Sequence, residues 1–473
     1  MKFPENARRS ARRLSSGAER FLDRVERRPE LLRRRSFTEV MRAVTEVIPT
    51  FVGYAPDAPI PLQPWPVLIS PAVRDDIARA VEGLARIVRT LPERFFDNDP
   101  KAIAAFYGLD SELLAALLVA EPTGIAESIC RADLIDTPDG LRCVELNFGN
   151  ASGWQDTAVS DAFLTRPPLS DALAECGLRV SWKDSAQALV EEAVRTCAGD
   201  DSADVPLNLV VVAATGGLFS FDNHPFARYE RQFAEALAVH GHGRPGSIRL
   251  AGTDELEFEK GALFVRGDRM AGVIEQLNEV SRSDLFRAFK GGHLRLFTGP
   301  IGPLILGDKR NLALLSERVA EFEPEERAII DRYVPWTRLM KSGSVTFRGR
   351  QVPLEGLLAA EREALVVKAA IEVGGKGVVV GRDASDDEWR QAVEMGLSED
   401  GWLVQEFLDT PSFPFQTGEE GWAEHRLVWG PFVFGDDYGG LFVRMLPTDR
   451  GRVVNLGQGG EIGLAFVVDE AGD

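Results

Sequence analysis

The stretch from Arg131 to Phe148 constrains this chain more than any other. Asp136-Thr-Pro-Asp-Gly140 is dense in turn formers, and the residues on either side read as short strands. Within a strand, residues two apart share a face. Arg131 and Asp133 therefore point one way, and so do Glu145 and Asn147. If the strands pair, one surface carries an arginine, two carboxylates and an amide. Asp, Glu and Asn offer the hard oxygens that Mg²⁺ takes beside substrate phosphates. A guanidinium beside them suits a phosphoryl oxygen. A solvated hairpin edge with alternating polar residues fits the same pattern, so the hairpin alone leaves both readings open.

The 473 residues leave room for two or three domains around that hairpin. Hydrophobic content of 44% and charged content of 27% place the chain among soluble globular proteins. A net charge of −19 disfavours nucleic acid as the main partner. Residues 1–40 hold 12 Lys/Arg against 6 Asp/Glu, which leaves −25 on the remainder. Acids are interspersed in this basic start and Leu and Phe recur, as in a partly solvated helical face. It lacks the apolar core of a secretory signal, and no apolar run reaches the roughly 18 residues of a membrane span. Cys130, Cys143, Cys176 and Cys197 form no CxxC pair, which argues against structural zinc and fits a reduced, cytoplasmic setting.

Taken in order, residues 1–66 turn from basic to proline-rich, and Ala72–Leu91 carries apolar residues at helical spacing. Glu93–Leu118 reads as two more short helices, and residues 155–198 as two helices around a loop. Leu207–Ala214 is an apolar, β-branched run, expected to be a buried strand, with an amphipathic helix over Pro225–Val239. The glycines between them do not match a dinucleotide fingerprint. Residues 248–306 read as short strands alternating with helices, and Asp308-Lys309 as the opening of a helix. A lysine at a helix start is ordinarily solvent-exposed, and such an end disfavours a cation but favours anions.

Leu365-Val-Val-Lys368-Ala-Ala-Ile-Glu-Val-Gly374-Gly375-Lys376-Gly377-Val reads as strand, glycine loop, strand. Glycines let backbone N–H groups fold over a phosphate, and lysines supply point charge. A strand follows the loop where a Walker A motif needs a helix, so this is a hairpin lid or a plain glycine turn. A helix from Asp387 and a strand Trp402-Leu-Val-Gln405-Glu406-Phe-Leu408 come next. Gly440–Met445, with Arg444, and Val453–Gly460, with Asn455, read as a closing pair of strands.

Together these pieces resemble the ATP-grasp superfamily, in its circularly permuted branch, which includes the synthetase domain of glutathionylspermidine synthase. The resemblance rests on R-x-D with E-x-N twelve residues after the Asp, on K-x5-GGKGV, on V-Q-E-F-L, and on the terminal R…VVN…GG. It covers roughly residues 120–465. The acidic element precedes the lysines and glycine loop here, the reverse of the usual order, hence the permuted branch. The resemblance implies an α/β (α+β) ATP-grasp-like fold, with nucleotide held between two subdomains. The expected divisions are an N-terminal helical layer (1–120), a metal-hairpin part (121–200), a substrate-side α/β part (201–305) and a nucleotide lid with closing strands (306–473).

Residue by residue, the resemblance implies Asp133, Glu145 and Asn147 as Mg²⁺ ligands. It implies Arg131, Lys376 and Arg444 at the transferring phosphoryl group. Lys309 and Lys368 would bind the phosphates of ATP, Gly374, Gly375, Lys376 and Gly377 would cover them, and Gln405 and Glu406 would line the nucleotide pocket. The implied activity is an ADP-forming carboxylate–amine ligase working through an acyl-phosphate on small-molecule or peptide substrates. No amidase domain is evident, so the amine substrate is not implied. An ATP-grasp phosphotransferase and an inactive nucleotide-binding regulator are the alternatives. Asn223, His224 and Arg228 are candidates on the substrate side.

Overall fold

A computed structural model of the chain describes residues 5–27, 52–55, 58–59, 63, 65–109, 129–149, 160, 169–199, 206–212, 226–275, 284, 288, 294–297, 302–370, 377–417, 421–456 and 459–469. It is a mixed α/β fold with several sheets, and two of these sheets face each other across a cavity.

The larger is six-stranded and antiparallel. Its main path runs Glu461–Gly463, Asp437–Pro447, Gly421–Phe434, Cys130–Thr137, Gly140–Phe148, with Phe413–Thr417 paired onto Gly421–Phe434. The hairpin predicted at 131–148 thus forms, and its first strand pairs with a strand far along the chain, Cys130 lying opposite Val433, 303 residues later. Helices Pro71–Arg89 and Ser185–Ala198 pack against this sheet, and their buried Val81, Leu84, Val88, Leu189 and Val190 join Trp429, Phe432 and Phe442 in the main core. Ser70 caps the first helix by accepting from the Val73 N–H, and Pro71 occupies its opening turn, where a missing donor costs nothing.

The second sheet is four-stranded and antiparallel, in the order Thr337–Leu339, Trp402–Glu406, Leu365–Ala369, Val378–Val380. The strand–loop–strand expected around the glycines therefore flanks residues 371–376, which lie outside the described residues. Helix Asp386–Ser398 backs this sheet, begun by a capping box between Ser385 and Glu388. Trp389, Leu365, Val367 and Val404 form its separate core.

A third, parallel sheet has Leu207–Val212 between Gly246–Ala251 and Gly272–Glu275. Leu207–Val212 is buried throughout, as its unbroken apolar run predicts. The predicted amphipathic helix is present as Phe226–His240.

Of the strands and helices expected over 248–306, the described residues form a strand meander (Leu256–Glu259, Ala262–Val265, Asp268–Arg269), the strand Gly272–Glu275, one short 3-10 turn and a π-helical turn at Gly302–Leu306; residues 276–283, 285–287, 289–293 and 298–301 lie outside the described residues. One expectation fails. Val453–Leu456 is not a strand: Asp437–Pro447 pairs instead with Gly421–Phe434 and Glu461–Gly463. The proline and glycine of Pro447–Gly451 take the chain out of the ladder before it reaches Val453. Among the described residues no helix is long and apolar enough to cross a membrane.

Candidate active site

The hairpin register decides which side chains meet. Arg131 stands opposite Asn147 and Asp133 opposite Glu145, with a bulge directly after Asp133. Opposed residues of an antiparallel pair project to the same side. All four line one cavity of about 340 Å³. The neighbouring strands add Val428 and Arg444, which are also directly opposed. Gly430 belongs to the same row. A Cβ there would stand 2.9 Å from the Phe442 carbonyl oxygen and 3.3 Å from Arg131 Cδ, so a side chain would crowd the neighbouring strand first and then the arginine stem.

Arg444 lies 2.5 Å from Asp133 Oδ1, and Arg131 Nε donates to the same oxygen at 3.4 Å. All three side chains are 9% exposed. Burial pushes the Asp133 carboxyl up, but the charges and hydrogen bonds of Arg444 and Arg131 overcome it and hold the group below its ordinary value.

The facing sheet contributes Val366, Lys368, Val378, Val380, Gln405 and Glu406. Lys368 Nζ donates to Gln405 Oε1 at 2.6 Å and to the Val144 carbonyl at 3.1 Å. Burial lowers this lysine to about 8, Lys309 adding to the effect and Glu145 opposing it. Gln405 passes the contact on, its Nε2 donating to Thr337 Oγ1 at 3.1 Å. Glu406 sits at the outer rim, paired with Arg348 at 2.7 Å.

Lys309 corrects the expectation of an exposed lysine. It caps helix Arg310–Glu317, is 7% exposed, and places Nζ 3.0 Å from Glu145 Oε1. The reason is a buried polar frame that sequence reasoning missed. Arg310 grips Asp308 through Nε at 2.9 Å and an η-nitrogen at 2.6 Å, and donates to the carbonyls of Phe106 and Tyr107. Asn311 donates to the Ile305 and Leu306 carbonyls and accepts from the Tyr107 hydroxyl at 2.7 Å. The signal was present: four polar residues in a row, Asp308 to Asn311, open an otherwise apolar helix.

Nine predicted residues thus converge on one cavity: Arg131, Asp133, Glu145, Asn147, Lys309, Lys368, Gln405, Glu406 and Arg444. Gly374, Gly375 and Lys376 lie outside the described residues. Gly377 is at φ +67°, a left-handed conformation suited to glycine, and its carbonyl accepts from the Ala369 N–H. It closes the strand pair and does not line the cavity. Arg228 is away from the site, in an ion pair with Asp184, and Asn223 and His224 lie outside the described residues. The cavity also takes Arg426, Arg452 and Asp409, none of which the sequence reading picked out, and Phe407 of the V-Q-E-F-L motif, to which it gave no role.

Among the described residues no group of three or more His, Cys, Asp or Glu could hold a metal. The available donors are two carboxylates, Asp133 and Glu145, and the Asn147 amide. That oxygen set suits Mg²⁺ sharing its coordination with phosphates, and does not suit a metal held by protein alone.

No family model matches the chain, and no curated protein matches it. Among solved structures it is similar to a glutathione synthetase-like effector from Globodera pallida in its apo form, with a TM-score of 0.56 and 12% identity over 91% of this chain and 96% of that one. At that identity the likeness is one of fold, and it spans nearly the whole of both chains.

Proposed function

We propose that this chain is an ATP-dependent carboxylate–amine ligase with a permuted ATP-grasp core, forming an amide through an acyl-phosphate and releasing ADP and phosphate. The observation that carries the reading is the convergence of the hairpin's Arg131, Asp133, Glu145 and Asn147 with Lys309, Lys368 and Arg444 on one cavity between two sheets. The cavity is lined by six Lys/Arg against four Asp/Glu, in a chain whose net charge is −19. A polyanion suits such a lining. The fold shared with a glutathione synthetase-like protein agrees with a ligase-type fold. The placement of strand Cys130–Thr137 beside Gly421–Phe434 suits a permuted order, because it brings the early acidic element next to the late strands.

In this reading a carboxylate, a poor electrophile, attacks the γ-phosphorus of ATP, and an amine then displaces phosphate from the acyl-phosphate. Arg131 and Arg444 hold the transferring phosphoryl oxygens, while Lys309 and Lys368 take the other phosphates. The resemblance gives Gly374, Gly375, Lys376 and Gly377 the part of covering the triphosphate against water that would hydrolyse the intermediate; of these only Gly377 is among the described residues, at the end of the loop and outside the cavity lining. Gln405 and Glu406 stand on the nucleotide's ribose and base side. Asp133, Glu145 and Asn147 would hold Mg²⁺, which would supply charge neutralisation. No protein nucleophile is needed. Cys143, nearest the hairpin ligands, is fully buried with its thiol pushed well above its ordinary value by burial.

Calorimetric titration with MgATP, on wild type and on Glu145→Ala/Asn147→Ala, tests the reading. Wild type should bind, and the double variant should lose its Mg²⁺-dependent affinity. Release of ADP with an amide product identifies the ligase, whereas a phosphorylated product identifies a phosphotransferase. Absence of binding by wild type at millimolar ATP ends the reading.

A further inference from the structure

The two carboxylates of the hairpin are not equally open to an arriving ion. Asp133 is 9% exposed, and the guanidiniums of Arg444 and Arg131 share one of its oxygens. Glu145 is the more open, at 29% exposed, yet it is also already taken. Lys309 Nζ lies 3.0 Å from Glu145 Oε1, and that lysine side chain is almost wholly buried.

The surroundings of Lys309 keep it on Glu145. Lys309 is the N-cap residue of helix Arg310–Glu317, a place where the aligned peptide dipoles oppose a positive charge. The charges of Lys309 and Lys368 also oppose each other. The lysine backbone cannot retreat. Its N–H donates to the Ala370 carbonyl, and its neighbours Asp308, Arg310 and Asn311 are tied into the buried polar frame. Glu145 is therefore the anion that offsets these unfavourable fields. A second cation reaching the same carboxylate meets the ammonium there, and like charges in a poorly hydrated cavity repel strongly.

We propose that Lys309 guards Glu145. In the empty chain the ammonium is a stand-in cation on that carboxylate, so a divalent metal and a nucleotide each bind poorly alone and well together. Phosphate oxygens that draw Lys309 away release Glu145, and a metal that takes Glu145 releases Lys309. Each ligand must then favour the other by the same factor. The inference rests on the ligase reading for which ligands arrive, and it adds a coupling between them.

The test is calorimetric titration of the full chain at neutral pH with Mg²⁺ alone, with ADP in the presence of EDTA, and with ADP at saturating Mg²⁺. Lys309→Met should bind Mg²⁺ alone at least about tenfold tighter than wild type, because a charge-assisted contact no longer has to be broken. Lys309→Arg keeps the charge and should stay within about twofold of wild type. Glu145→Gln should bind metal-free ADP about tenfold tighter than wild type, whereas in a Lys309→Met background the same change should gain less than about threefold. Three results overturn the proposal. They are Mg²⁺ binding no tighter in Lys309→Met than in wild type, a gain in Lys309→Arg as large as in Lys309→Met, or a gain from Glu145→Gln that is equal with and without the lysine. Failure of the ligase reading looks different. If wild type binds no ADP with or without Mg²⁺, that reading ends, and the Mg²⁺ titrations of the two Lys309 variants still decide whether the lysine guards the carboxylate. If wild type binds ADP with Mg²⁺ but Lys309→Met gains nothing toward Mg²⁺, the guard falls and the ligase reading stands.

Discussion

On the large-sheet wall of the cavity Asp133 lies 2.5 Å from Arg444 and 3.4 Å from Arg131, whereas on the facing wall Lys368 rests on an amide oxygen and a backbone carbonyl. The first wall is charged but internally compensated. The second presents a cation with no carboxylate within ion-pair distance among the described residues. The pKa shifts express the difference. Asp133 is held below its ordinary value by its arginines, so ionisation is favoured there. Lys368 is lowered to about 8 by burial, so ionisation is resisted there. The compensated wall is built to keep its shape, and the uncompensated lysine is built to gain from an arriving polyanion.

The largest effect should come from breaking the compensated wall. Asp133→Ala leaves two buried guanidiniums without their carboxylate, and loss of one partner from a buried ion pair costs roughly 3–5 kcal/mol. The denaturation midpoint should fall accordingly. Because the folded carboxyl titrates below its ordinary value, its contribution is complete above about pH 4 and is lost as pH falls through the lowered value. Wild type should therefore lose this stability in acid, and Asp133→Ala should lack that loss. A cost under about 1 kcal/mol, the range of an exposed pair, would show that the wall is not a clamp.

The next effect is on ligand affinity rather than stability. With Lys368 at about 8 in the empty chain, a polyanion that requires its charge must bring a proton with it at higher pH. MgATP affinity should then fall as pH rises through 8, by up to about tenfold per unit. Lys368→Met should bind about 10–100-fold more weakly at neutral pH and show little change between pH 7 and 9. A wild-type profile as flat as the variant's would remove the contrast between the walls.

How much of this was legible in the sequence follows from which forces are local. The hairpin face was readable because the period of a strand is two and Asp136–Gly140 marks the turn. The strand–loop–strand at Lys368 was readable from β-branched runs flanking glycines. The burial of Lys309 was not, because it depends on Arg310 reaching carbonyls about 200 residues earlier, at Phe106 and Tyr107. Arg426 was missed for a related reason. It lies in the 14-residue strand Gly421–Phe434, and only the pairing of that strand with Cys130–Thr137 and Asp437–Pro447 turns its alternating Arg426, Val428 and Gly430 toward the cavity. Val453–Leu456 was misread as a strand because its apolar character serves the cavity wall, where Val453 and Val454 line the pocket from a loop.

The smallest predicted effect separates positioning from contact on the lysine wall. Thr337 Oγ1 donates to the Pro335 carbonyl at 2.9 Å, so it must accept from Gln405 Nε2, and the amide is thereby oriented with Oε1 toward Lys368. Gln405 is 1% exposed, so its side chain acts mainly through what it holds. Gln405→Leu removes the acceptor but leaves Lys368 the Val144 carbonyl. Loss of one such bond is worth about 1 kcal/mol, or roughly fivefold in MgATP affinity at neutral pH, well short of the loss in Lys368→Met. The pH dependence should survive in Gln405→Leu, because the titrating lysine is still present, and should move to lower pH, because a favourable partner of its charged form is gone. Equal losses in the two variants would instead place Gln405 in direct contact with the nucleotide, and the wall would then have two ligand-binding groups where this argument gives it one.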